Sequence, residues 1–136
     1  MSLFGKKEKE IYWVEKHYIK DRNDTIITAN QKEGVIKIPP SATSKLIVIG
    51  RSNECDIVTS MAAPILISRK HVQLNIQTNG RATITNMGRK EIFVYEGSSR
   101  RRHTKEPRES ADLVTPFVIQ IGPDEGTHIK VRFSLD

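Results

Sequence analysis

The chain has 136 residues, 37% of them hydrophobic and 6% aromatic, with 22 Lys plus Arg, 16 Asp plus Glu and a single cysteine. That length holds one domain with a proper core and is too short for two. An internal disulfide is excluded, and Cys55 has no companions at zinc-ligand spacing, so it reads as a small buried apolar residue in a reducing compartment.

Helical periodicity is almost absent, whereas short β-branched runs separated by polar or glycine-containing breaks recur throughout. Residues 1–10, rich in lysine, are expected to form a flexible basic tail. Strands are predicted over 11–20, 25–29, 35–38, 45–49, 56–58, 71–77, 81–86, 92–95, 114–121 and 128–134. Alternation within 11–20 puts Trp13 on a core-facing side, against the reading of Trp13, Tyr12 and Tyr18 as a platform for stacked bases. Pro39-Pro40-Ser41 is a connector, because proline cannot donate to a ladder and restricts its predecessor. Thr78-Asn79-Gly80 separates two alternating runs. A two-residue turn there sets polar against apolar residues, whereas a three-residue loop with Gly80 in the left-handed position pairs Ile76 with Ala82 and Leu74 with Ile84. The second register is the one expected. Residues 97–111 are polar, contain Pro107 and lack apolar anchors, which predicts a mobile basic loop. Some ten strands in a single domain predict an all-β, two-sheet sandwich spanning residues 11–136.

The formal charge of +6 points to anionic partners. Lys6, Lys7, Lys9, Arg100, Arg101 and Arg102 fall in the tail and the loop, where charge runs ordinarily face water. The longest apolar runs, such as 46–49 and 64–67, are far shorter than the about 20 residues that cross a bilayer, and no signal peptide is visible, so an intracellular protein without a membrane partner is expected. No nucleophile elbow, phosphate loop or metalloprotease pair is present, and His17, His71, His103 and His128 are scattered without ligand spacing. The expectation is a non-catalytic protein with neither metal nor cofactor.

One set of residues stands out. Gly50-Arg51-Ser52 closes an apolar strand, Asp56-Ile57-Val58 follows, Ser68-Arg69-Lys70-His71 opens the next strand, and Asn86-Met87-Gly88 ends a later one. Order and spacing resemble the forkhead-associated (FHA) domain family, an eleven-stranded sandwich, over residues 45–133. The resemblance implies recognition of phosphothreonine in a partner protein by loops at one end of the sandwich, in an intracellular signalling and commonly nuclear setting. Under it Arg51 grips the phosphate, Ser68 adds a hydroxyl hydrogen bond, and Arg69 makes a neighbouring contact to phosphate or peptide backbone. His71 braces the loops, with Gly50, Asn86 and Gly88 as further structural support. A planar guanidinium with paired donors suits a dianionic phosphate better than an ammonium does, and a hydroxyl from another loop fixes its orientation.

The sequence departs from the family where an Asn-Gly pair usually follows. The chain reads Arg89-Lys90-Glu91-Ile92, so Glu91, or Lys90 if the loop is one residue shorter, replaces the asparagine that holds the peptide backbone. A glutamate there removes an amide donor and adds negative charge, while Arg89 and Lys90 offer phosphate contacts in compensation. The stretch 59–66, with Met61, Ala62, Ala63, Pro64 and Ile65, reads as folding onto the core rather than meeting a partner. A second functional reading is a nucleic-acid-binding or phosphate-independent scaffold module that uses the basic tail and loop, with Arg100, Arg101 and Arg102 as secondary contacts.

Overall fold

A computed structural model describes residues 8–59, 67–97 and 101–135. The described residues form eleven strands and no helix: β1 (Lys9–Lys20), β2 (Ile26–Ile38), β3 (Ser44–Gly50), β4 (Ile57–Val58), β5 (Val72–Gln77), β6 (Arg81–Asn86), β7 (Ile92–Glu96), β8 (Arg102–Lys105), β9 (Ser110–Val114), β10 (Phe117–Ile121) and β11 (His128–Leu135). One sheet has the order β2-β1-β11-β10-β7-β8 and the other β4-β3-β5-β6-β9. The predicted two-sheet sandwich is thus the fold.

Alternation produces it. Every second residue of a strand points the same way, and the inward sets are almost wholly apolar. Ile11, Ile38, Ile119, Ile121, Ile129 and Val131 of the six-stranded sheet are buried against Ile47, Ile49, Leu74, Ile76 and Ile84 of the five-stranded one. Phe117 and Phe133, 5.4 Å apart between ring centroids, fill the core on neighbouring strands. Trp13 packs against this core from β1, while Tyr12 faces outward. The β5–β6 hairpin has the expected register, pairing Leu74 with Ile84 and Ile76 with Ala82. Gly80 closes its loop at φ 89°.

Four expectations are corrected. The segments 25–29 and 35–38 are one strand, because β1 pairs with β2 from Ile26 to Ile38, interrupted only by a register shift that skips Ala29. Its middle is polar and exposed at a sheet edge, so no apolar alternation marks it. The predicted strand 114–121 is two, since β9 ends at Val114 and Thr115-Pro116 carries the chain across to the other sheet. Residues 97–111 are not simply a loop: they contain β8, paired with β7, and the start of β9, paired with β6. Both are edge strands with little buried surface, which leaves them the composition of a loop. Lys9 and Glu10, assigned to the tail, already pair with Ile38 and Lys37.

A polar seam joins the two sheets beside β4. The buried Glu15 carboxylate accepts from His17 Nε2 at 2.8 Å and lies 3.5 Å from Lys32 Nζ. Lys32 in turn donates to the Val58 carbonyl at 2.5 Å.

Candidate functional site

Three connections, β3–β4, β4–β5 and β6–β7, are tied to one another at one end of the sandwich. Backbone bonds begin the assembly. The Arg51 and Ser52 amides donate to the carbonyls of Ser68 and Arg69 at 3.2 and 3.1 Å, and the Met87 amide donates to the His71 carbonyl at 2.7 Å. Gly50 is buried so close beneath Arg69 that a side chain on it would overlap the Arg69 carbonyl, so this crossing depends on glycine.

His71 is wholly buried among these connections. Its Nδ1 accepts from the Ser68 amide at 3.1 Å, which puts the ring proton on Nε2, 3.4 Å from the Lys90 carbonyl. Burial holds the imidazole below its ordinary pKa, and the Lys90 carbonyl opposes that only in part. Asn86, also wholly buried, fixes the β6–β7 connection. Its amide nitrogen donates to the carbonyls of Lys90 and Lys105 at 2.8 and 2.9 Å, and its oxygen accepts from the Gly88 amide at 2.9 Å. Each donor and acceptor of that amide group therefore meets a backbone group, as a buried polar side chain requires.

On this frame stands a groove of about 630 Å³ lined by Arg51, Ile67, Ser68, Arg69, Lys70, Met87 and Arg89. A second concavity of about 490 Å³, lined by Arg51, Ser52, Asn53, Glu54 and Arg69, adjoins it through the shared arginines. Arg51 does not pair with Glu54 or Asp56. Its Nε donates to the Ile67 carbonyl at 3.0 Å, which aims the guanidinium and leaves both terminal nitrogens to donate elsewhere. Asp56 instead accepts from the Val48 amide. The Ser68 hydroxyl oxygen accepts from the Arg89 amide at 3.3 Å, leaving its own hydrogen to donate. Among the described residues no salt bridge joins Arg51, Arg69, Lys70, Arg89 or Lys90 to an acid. The groove thus gathers cations that no described acid neutralises and one hydroxyl donor, chemistry suited to a multiply charged oxyanion.

The structure therefore brings Arg51, Ser68, Arg69 and Arg89 together around one groove, with Gly50, His71, Asn86 and Gly88 beneath. Lys90 and Glu91 follow on the exposed part of the β6–β7 connection, and it is the Lys90 carbonyl, not its side chain, that Asn86 and His71 hold. Arg102 is not brought to the groove. It lies at the far end of β8, bound to Asp124 at 2.6 Å and seated over the Phe93 ring. Arg101 precedes it, also exposed. Arg100, Lys6, Lys7 and the apolar stretch from Met61 to Ile65 lie outside the described residues.

Two contributors went unseen in the sequence. The Cys55 thiol, raised in pKa by burial, donates to the Arg69 carbonyl at 3.1 Å. Met87, 51% exposed, supplies apolar surface within the cationic groove. A buried cysteine gives no sequence signal of its backbone partner, whereas an exposed methionine beside a glycine turn was a readable hint.

Residues 47–122 match the family model described as FHA domain. Among solved structures the chain is similar to an engineered FHA with a Myc-pTBD peptide, at 14% identity and a TM-score of 0.63, covering 93% of this chain and 91% of that one. It is also similar to the N-terminal FHA domain of S. cerevisiae RAD53P in complex with a phosphothreonine peptide, at 14% identity and a TM-score of 0.54, covering 90% and 94%. A search of curated proteins found no match.

Proposed function

The chain belongs to the FHA domain family, and from that premise and the groove above we propose that it is a non-catalytic module that binds a phosphothreonine-bearing segment of a partner protein. The observation that carries the reading is the tether of Arg51 Nε to the Ile67 carbonyl, which presents a guanidinium fork in the same groove as the Ser68 hydroxyl. A phosphothreonine carries about −1.5 to −2 charges and three acceptor oxygens. In this reading Arg51 takes two of those oxygens, Ser68 donates to the phosphate, and Arg69 and Arg89 add charge from either side. Lys90 contributes from the rim. The phosphothreonine peptide bound by the RAD53P domain supports the same ligand class. The module then works inside the cell, in the nucleus or cytoplasm, in a signalling role downstream of a threonine kinase.

Titration with matched phosphothreonine, phosphoserine and unphosphorylated peptides from a degenerate library tests this. Binding is expected to require phosphate, to favour phosphothreonine, and to fall roughly 10- to 100-fold in Arg51→Ala, the equivalent of one strong charge-assisted contact. Binding that ignores phosphorylation refutes the proposal.

A further inference from the structure

The groove uses one end of the sandwich and leaves the broad outer face of the six-stranded sheet without a role. Register places Lys16 and Tyr18 of β1, Lys130 and Arg132 of β11, and Phe93 and Tyr95 of β7 on that face. We infer that it is a second binding surface, built for a single-stranded nucleic acid.

The first argument is charge. Lys16 and Lys130 are direct cross-strand partners, and Arg132 stands two residues along from Lys130, opposite Val14 and Val118. Like charges directly opposite one another cost stability, and among the described residues none of these three cations has a salt bridge. Of the acids at this face, Glu10 and Glu33 sit toward the β2 edge, in register with Lys37 and Val14, and Asp124, at the other side, is bound to Arg102 and Gln120. An uncompensated row of this kind repels itself in the folded state and is relieved by a polyanion.

The second argument is the aromatic setting. Lys130 Nζ lies 5.5 Å from the Tyr18 ring centroid and 5.9 Å from that of Tyr95, so one ammonium is held between rings from two different strands. Tyr18 also stacks on His128, with centroids 4.7 Å apart and planes 10° from parallel. Arg102 continues the pattern at the sheet edge, its guanidinium 4.3 Å from the Phe93 centroid. With strands spaced about 4.8 Å apart, the cations and rings from β1 to β7 form a band roughly 14 Å wide. Phosphates match the cations, and bases match the rings and guanidinium planes, a combination used repeatedly on sheet surfaces that bind unpaired strands. An acidic polypeptide would satisfy only the charges. None of these residues lines the phosphate groove, so this surface stands independently of the proposed phosphopeptide site.

Fluorescence anisotropy of the full chain with labelled oligo-uridine and oligo-deoxythymidine of about 12 nucleotides, over a range of salt concentrations, tests the inference. With three phosphates engaged, log affinity is expected to fall against log salt with a slope of about −2. Lys130→Gln with Arg132→Gln should weaken binding at least tenfold and flatten that slope, leaving phosphopeptide affinity unchanged. Tyr18→Leu should weaken binding with the slope preserved. Lys16→Gln should weaken binding while raising the melting temperature, since it removes the facing like charge. Arg51→Ala should leave oligonucleotide affinity intact. The inference is overturned if neither oligonucleotide binds at low salt, if binding survives the sheet substitutions in folded protein, or if only polyglutamate or anionic vesicles bind.

Discussion

Gly88 lies so close against the imidazole of His71 that a single methyl group on it would overlap the ring. The two residues come from different connections, and their fit sets how near the β6–β7 turn can approach the Ser68 loop. Gly88→Ala is expected to destabilise the fold by about 1–3 kcal/mol, as overpacking of a filled site does. It should also weaken phosphopeptide binding, although residue 88 does not line the groove, because His71 positions Ser68. Thermal melts and peptide titrations on one preparation check both.

His71 gives stability a pH dependence. Burial lowers its folded-state pKa below the ordinary value of 6.5. As pH falls through about 6.5 the unfolded chain takes up a proton that the folded chain refuses, so stability declines from there down to the folded pKa. One such group contributes at most about 1.4 kcal/mol per pH unit. Protonation of Nδ1 would also break the bond from the Ser68 amide. Denaturant midpoints at several pH values should fall in this window, and His71→Gln should flatten the profile while being less stable throughout.

Arg51→Lys separates charge from geometry. The ammonium keeps the positive charge but loses both the fork and the Nε bond to the Ile67 carbonyl. Phosphopeptide affinity should drop roughly tenfold, less than for Arg51→Ala, with salt dependence retained.

Glu91 is exposed on the β6–β7 connection, in the same run as Arg89 and Lys90. Glu91→Gln removes a negative charge while keeping the length of the side chain. Phosphopeptide affinity should rise by roughly two- to fivefold at low salt, and the gain should shrink as screening increases.

Asn86→Ala removes the side-chain donor to the Lys90 and Lys105 carbonyls and the acceptor of the Gly88 amide at once, leaving His71 Nε2 near the Lys90 carbonyl. An unsatisfied buried polar group costs about 1–3 kcal/mol; with relaxation, a loss of roughly 3 kcal/mol in total is expected in chemical denaturation. The crosslink between the β6–β7 connection and β8 would go with it, since the same amide holds Lys105.

Much of the sandwich was legible. The strands with one apolar face, such as Val72–Gln77 and Arg81–Asn86, announced themselves by alternation, and the hairpin register followed from requiring that face to stay apolar. The edge strands did not. Arg102–Lys105 and the centre of Ile26–Ile38 are strands because a neighbour offers them a ladder, and backbone pairing leaves no mark on side chains that stay in water.

The candidate site divides in the same way. Arg51, Ser68, Arg69, His71, Asn86 and Gly88 could be picked out because their order and spacing resemble the FHA family, and that resemblance implies donors for an anion and small or bracing residues beneath them. Their convergence could not. It depends on strand order, which places β3, β5 and β6 side by side, and on backbone bonds such as Arg51 to Ser68 and Met87 to His71. The sequence by itself determined the alternation, the net positive charge and the inventory of donors, since these are properties of residues taken in order. Only the tertiary structure decided that Arg51 is aimed by a carbonyl instead of neutralised by Glu54, that Arg102 belongs to a different face, and that Lys16 confronts Lys130. Those outcomes depend on distances between residues far apart in the chain, which chain order does not encode one pair at a time.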